Sequence, residues 1–322
     1  MTSTNLILSN LTSPAVISFL LGVFASVARS DLRVPAQAYE AISMFLLFSI
    51  GLKGGIALSK AEFLAIATPL GVAVFLGILT PCIGYFVARK IGKLDVTNAA
   101  ALAAHSGSVS AVTYIACLNF ADSSGVKYNA FMTALLVVLE ILGIVVALVL
   151  ASVFNPRQKI RFKSVLHDCF TGKSVVLLCG GLLVGLVSSP EEIAKISNVF
   201  INLFHGILVF FMLELGVVAT NRIRDTKSSL PFMLGYGILT PLLFGILGTI
   251  CGSLAGMSVG NTAILSTMVA SASYIAAPAA VRMALPEANP GIYLTTAISI
   301  TLPFNIAIGI PTYFSLAAMA IK

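Results

Sequence analysis

Two hydroxyl-rich stretches carry the residues best suited to chemistry. The first reads Ala103-Ala104-His105-Ser106-Gly107-Ser108-Val109-Ser110-Ala111-Val112-Thr113 and the second Ser266-Thr267-Met268-Val269-Ala270-Ser271-Ala272-Ser273-Tyr274-Ile275-Ala276-Ala277-Pro278. Both lie inside otherwise apolar segments. Gly107 weakens a helix, and Pro278 lacks an N–H and clashes one turn back, so each segment is expected to break. A broken helix presents free N–H groups and a positive dipole end, which hold anions; serine hydroxyls add donors without a competing charge. The candidate anion-binding residues are Ser106, Gly107, Ser108 and Ser110 from the first stretch and Ala270, Ser271, Ala272 and Ser273 from the second. Unwound carbonyls and hydroxyl oxygens across the break suit a small hard cation such as sodium. Asn98, Thr113, Glu140, Thr267 and Asn305 are the candidate oxygen donors for it. Small residues also let helices pack closely, which accounts for any one serine. Three serines mirrored by two more favour binding.

Two further acids and a histidine stand inside apolar segments. A charge at mid-bilayer costs about 2.5–3.5 kcal/mol on insertion scales, which makes Glu140 and Glu214 functional candidates by default. Glu140 follows the first hydroxyl stretch and is placed to coordinate or brace it. Glu214, near the C-terminal end of its segment, is read equally well as a structural group. His105 adjoins the serines, where an orienting hydrogen bond is favoured over pH sensing. Asn261 is a second-tier oxygen donor. There is no HExxH, GxSxG or phosphate-loop pattern, so no enzyme is expected. The five cysteines stand singly, without a CxxC pair, and argue for neither a disulfide framework nor zinc.

The elements that must position these residues are membrane helices. Of 322 residues, 58% are hydrophobic and only 10% charged, against about 25% charged in soluble domains. Mean hydropathy is +1.02. No soluble fold of this size hides so much apolar side chain. At roughly 20 apolar residues per crossing, ten spans are expected, near 14–29, 36–57, 64–89, 97–119, 129–153, 174–189, 199–219, 230–253, 260–283 and 291–320. The first and sixth are short. Alternating loops place fourteen of the 19 Lys and Arg on one face and leave only Lys53, Lys60, Lys127, Lys195 and Lys322 on the other. That bias puts the richer face in the cytoplasm and both termini outside. The net charge of +7 is therefore a topology signal, not a nucleic-acid footprint. The basic loop Asn155 to Lys173 serves mainly as an orientation anchor, with docking of a soluble partner as the lesser reading. Met1 to Ser13 contains no Lys or Arg, so a cleavable signal peptide is not expected.

The chain also repeats itself. Gly77-Ile78-Leu79-Thr80-Pro81 recurs as Gly237-Ile238-Leu239-Thr240-Pro241; Phe45 to Gly51 is echoed by Phe210 to Gly216. Asn98, Leu102, Ser108 and Ser110 match Asn261, Leu265, Ser271 and Ser273, and Thr133-Ala134 matches Thr296-Ala297. Residues 1–153 and 174–322 thus read as two five-span repeats joined by a basic linker, 154–173. An odd number of spans per copy inverts the second, an arrangement typical of secondary transporters with a midplane site.

At these residues the chain resembles the sodium-dependent bicarbonate transporters of cyanobacteria, the SbtA-like permeases. The resemblance rests on Gly107 to Thr113, on Ala270 to Arg282, on Pro303-Phe304-Asn305-Ile306 and on the glycine-rich run Gly51 to Gly55. It implies an all-α membrane fold of ten helices in two inverted repeats, divided into core and gate parts. It further implies a homotrimer, sodium-coupled bicarbonate uptake, no cofactor beyond the coupling sodium, and regulation by a cytoplasmic PII-like protein. The serines would hold bicarbonate and neighbouring oxygens sodium. Another small anion or carboxylate as substrate, an anion channel and a membrane receptor are the alternatives.

Overall fold

The computed structural model describes residues 11–32, 34–59, 64–129, 131–155, 162–224 and 230–321. Among them there is helix and no strand. In chain order the helices are α1 (Pro14–Val27), α2 (Ala36–Leu58), α3 (Leu64–Lys90), α4 (Val96–Ser106), α5 (Ala111–Ser123), α6 (Met132–Phe154), α7 (Phe162–Thr171) and α8 (Lys173–Val187). They continue with α9 (Pro190–Ser197), α10 (Phe204–Arg224), α11 (Leu230–Leu254), α12 (Val259–Val269), α13 (Ala277–Ala284) and α14 (Pro290–Ala320). Of the basic linker, residues 156–161 lie outside the described residues, as do Arg33, Lys60, Lys227 and Lys322. The linker's second half is α7.

Among the described residues, helix length and composition alone yield seven membrane-crossing helices, or eight if α7 and α8, bent by 51°, are one span. The three segments of the ten-span reading that fall short are the first, sixth and ninth. Helix α1 has 14 residues and α8 has 15, so at about 1.5 Å per residue each rises roughly 21–23 Å against a hydrocarbon core of about 30 Å. The ninth is split into pieces of 11 and 8 residues. Leu20, Phe24, Phe75, Leu239 and Leu254 are exposed on the outer faces, as lipid-facing side chains must be. The fold is that of a multi-pass membrane protein.

The short helices hold by close approach rather than by length. Helix α1 packs on α10 and α2 on α8, both through glycines. A Cβ on Gly22 would stand 1.9 Å from Leu213 O, and one on Gly55 would stand 2.1 Å from Leu182 O. Backbone contact of this kind is what small residues supply where lipid gives no hydrophobic drive to helix association. Helix α3 packs on α6, and α11 on the first part of α14. Pro81 and Pro241 sit inside α3 and α11. In each helix the preceding threonine returns its hydroxyl one turn back, Thr80 Oγ1 to Leu76 O at 2.9 Å and Thr240 Oγ1 to Tyr236 O at 2.6 Å.

Capping fixes where α4 and α12 begin. Asp95 accepts the Asn98 N–H at 2.9 Å, and Ser258 accepts the Asn261 N–H at 3.3 Å, each meeting an orphan donor of the first turn. Each asparagine then receives a loop from elsewhere in the chain. Asn98 Oδ1 accepts from Asn289 N and Asn261 Oδ1 from Asn129 N, both at 2.7 Å.

Candidate functional site

The first hydroxyl stretch breaks where its glycine stands. Helix α4 ends at Ser106 and α5 starts at Ala111, capped by the Ser110 hydroxyl, which accepts from Thr113 N at 3.2 Å. The second stretch leaves helix after Val269 and re-enters at Ala277. Pro278 does not break it by clashing one turn back, as expected from sequence. It lies in the first turn of α13, where its missing N–H is one no helix bond needs. The interruption lies upstream, at Ala270 to Ala276.

The two breaks cross and are bonded to each other. Ser273 N donates to His105 O at 2.8 Å and to Ser108 O at 3.1 Å. Ser110 N donates to Ser271 Oγ at 2.8 Å, and that hydroxyl passes its own proton to Met268 O at 2.7 Å. Ser273 Oγ accepts from Ala277 N at 3.4 Å, at the start of α13. Ser108 Oγ donates to Glu140 O at 2.9 Å, tying α6 to the crossing, and Ser106 Oγ shares a 2.7 Å bond with Tyr236 OH of α11. All five serines are buried. Gly107 is backed by Pro81, to whose Cβ a side chain would come within 2.5 Å. Gly143, which sequence reasoning passed over, is the reason α6 can lie against the break: a Cβ there would stand 2.1 Å from Gly107 O. Ala270 and Ala272 are buried in the second break.

The candidate cation donors divide. Asn305 is fully buried, donates Nδ2 to Ala270 O at 2.8 Å and accepts Tyr313 OH on Oδ1 at 3.0 Å. It opens a π-helical stretch, Asn305–Gly309, preceded by another at Thr295–Thr301; such wide turns often mark functional sites. Thr267 is buried with its hydroxyl returned to Ala263 O at 2.8 Å, and Thr113 is buried in the first turn of α5. Asn98 is not at the crossing. It lies nine residues before Gly107, about 14 Å along α4, where it serves Asp95 and Asn289. Asn261 has the equivalent structural task. Glu214 Oε2 accepts Val34 N at 3.0 Å and fixes the chain ahead of α2. His105 is oriented by Nδ1 donating to Ala101 O at 2.7 Å and stacks on Tyr293 with ring centres 4.4 Å apart.

Two cavities are relevant, one reaching the second break and one beside the far end of α5. One of about 210 Å³ is lined by Glu140 of α6, by Lys173 and Ser174 of α8, and by Ile275 and Ala276 of the second break. Lys173 is ion-paired with Glu40. The other, of about 600 Å³, holds Lys53, Asp122, Lys127 and Thr133. Lys53 Nζ sits 4.1 Å from the centre of the Phe204 ring, and Thr133 Oγ1 shares a 2.9 Å bond with Tyr114 OH, one turn beyond Ser110.

Apolar helices crossing lipid around a buried crossing of two interrupted segments define a multi-pass membrane protein with a polar centre. The chain belongs to the Na+-dependent bicarbonate transporter superfamily, whose family model matches residues 14–318. Transport is thereby its general activity, with bicarbonate and sodium the solutes of the family. A comparison with curated proteins finds no match.

Proposed function

We propose that the protein imports bicarbonate together with sodium by alternating access, with the anion held where the two breaks cross. The observation that carries this is the set of three hydrogen bonds at the crossing, Ser273 N to His105 O and to Ser108 O, and Ser110 N to Ser271 Oγ. They bring the N-terminus of the 13-residue α5 against a second unwound segment inside the protein, where its dipole favours an anion. Ser106, Gly107, Ser108 and Ser110 with Ala270, Ser271, Ala272 and Ser273 frame that site. Thr113, Thr267, Asn305 and Glu140 remain as the proposed sodium donors. Asn98 has weaker support, given its distance from the crossing.

The helices are read as ten passages in two inverted repeats. Three exchanges support this. The α1–α10 pair and the α2–α8 pair swap if the halves are interchanged, as do α3–α6 and α11–α14. The bond from Asn289 N to Asn98 likewise swaps with that from Asn129 N to Asn261. Both termini are placed outside, with a homotrimeric assembly in a bacterial inner membrane and a PII-like protein on the basic cytoplasmic face. One bicarbonate with one sodium moves no net charge, so use of the membrane potential requires a second sodium. The test is uptake of labelled bicarbonate into proteoliposomes. An inward sodium gradient is expected to drive accumulation, and potassium is not. Absence of sodium-dependent uptake overturns the reading, and a steady sodium-independent anion current would replace it with a channel.

A further inference from the structure

The larger cavity, of about 600 Å³, carries charge that the crossing does not use. Lys53 of α2 and Phe204 of α10 line it together with Asn119 and Asp122 of α5 and Lys127 of the loop that follows. Lys53 is half-buried, and its Nζ lies 4.1 Å from the centre of the Phe204 ring. It takes part in neither of the two ion pairs found among the described residues, Lys173–Glu40 and Lys195–Glu192. A charge drawn out of water calls for a counter-ion or hydrogen bonds, and an aromatic face meets that need on one side only. The neighbouring polar groups tell what the missing partner is. Asn119 Oδ1 is occupied by His205 Nδ1 at 2.9 Å, whereas Asn119 Nδ2 has no hydrogen bond among the described residues and stays a free donor. Lys127 is exposed and unpaired among the described residues. Against these stand the Asp122 carboxylate, one oxygen of which accepts from Tyr128 OH at 3.0 Å, and the C-terminal end of α5, worth about half a negative charge. Two ammonium groups outweigh both, so the chamber keeps a positive remainder and its free donors suit an anion.

We propose that Lys53 Nζ, with Asn119 Nδ2 and Lys127, holds a small monovalent oxyanion such as bicarbonate at a site separate from the serine crossing. The choice of bicarbonate rests on the transport reading; the positive chamber does not. Asn119 lies nine residues beyond Ser110, about 14 Å along α5, so the chamber and the crossing stand at opposite ends of one helix. Thr133 of the chamber wall bonds Tyr114 of the same helix. With the basic-residue bias as the guide to sides, Lys127 faces outward and the chamber is the outer approach. A positive chamber there gathers the anion before it reaches the breaks, much as a charged cleft raises the local concentration of its ligand.

The experiment separates the chamber from the crossing by disabling the latter. Thermal unfolding of the purified full-length S271A variant in detergent is followed in sodium-free buffer, titrating choline bicarbonate against choline chloride at fixed pH and ionic strength. Bicarbonate is expected to raise the melting temperature, because a ligand bound to the native state stabilises it. Chloride is expected to raise it less. The rise should disappear in S271A/K53M and persist in S271A/K53R, which keeps a cation against the Phe204 ring. No rise in S271A overturns the site, as does an equal rise in S271A/K53M, or a chloride effect as large as that of bicarbonate. If S271A does not fold, the same titrations of K53M and K53R in the parent background decide. In proteoliposomes, K53M alone is expected to raise the half-saturating bicarbonate concentration at least about threefold with maximal uptake retained, the pattern of lost ground-state binding. A Lys53-dependent rise without bicarbonate flux rejects only the transport reading. Sodium-dependent flux with identical bicarbonate titrations in the Lys53 variants rejects only this site.

Discussion

Ser271 has the most exacting position of the five serines, since its one oxygen accepts from Ser110 N and its one proton goes to Met268 O. Ser271→Ala would leave a buried N–H and a buried carbonyl each short of a partner, at about 1–3 kcal/mol for an unsatisfied group. The expected outcome is a folded protein with a lowered melting temperature and bicarbonate uptake at background, measured on the same preparation. Ser253→Ala is the control. Its hydroxyl reaches only Ala320 O at an exposed end, and the change is expected within about 0.5 kcal/mol with uptake retained. The meeting of the serines was legible in the sequence because repeated hydroxyls in an apolar run are harder to assign to close packing alone, and the structure brings them to one crossing. Glu140 stood out as an acid in an apolar run, and its backbone oxygen meets Ser108 there. Asn98, an amide inside a hydropathy window, reads from sequence as a midplane donor; the structure places it within the first turn of α4, bonded to Asp95 and Asn289. Ser174 and Gly143 gave no signal. One sits at the start of an ordinary apolar segment, and the other matters only for what the first break places against it.

At the scale of the element, the breaks were legible to within a few residues and their cause only half so. Gly107 interrupts its helix as composition suggested, whereas Pro278 begins one. Proline's local geometry fits both readings, and the decision is made by the contacts of Ser271 and Ser273. The short first and sixth segments were visible as short, but the glycine contacts that make short helices tenable are tertiary. They are also fragile. A Cβ on Gly216 would stand 2.1 Å from Phe19 O, so Gly216→Leu is expected to separate α1 from α10. The destabilisation should reach at least the 1–3 kcal/mol typical of overpacking, read as lost monodispersity on size exclusion. Asp95 offers a gentler test. Burial opposes its charge, yet bonds from the Asn98 backbone and side chain outweigh burial and hold the carboxyl below its ordinary value of 3.8. A depressed carboxyl stabilises the fold above the ordinary value and loses that contribution as pH falls through the lowered one. Asp95→Ala is therefore expected to cost about 1 kcal/mol at neutral pH. The gap from the parent should close only below about pH 4.

At the scale of the molecule, the distribution of basic residues makes a prediction about sides. Single cysteines replacing Lys93 and Lys127 in a chain otherwise free of cysteine should differ in access. The residue-127 thiol is expected to react with an impermeant reagent on intact cells, and the residue-93 thiol only after permeabilisation. The reverse pattern would turn the protein over and put the Glu140 cavity on the outside. The sequence has no tryptophan, and that gives the Lys53–Phe204 contact a practical consequence. Phe204→Trp would install a lone indole against an ammonium, at the wall of the larger cavity. The protein would then carry its own optical reporter, whose emission should shift whenever solute or solvent rearranges around Lys53. The filling and emptying of that chamber could be followed in real time without a radiolabel.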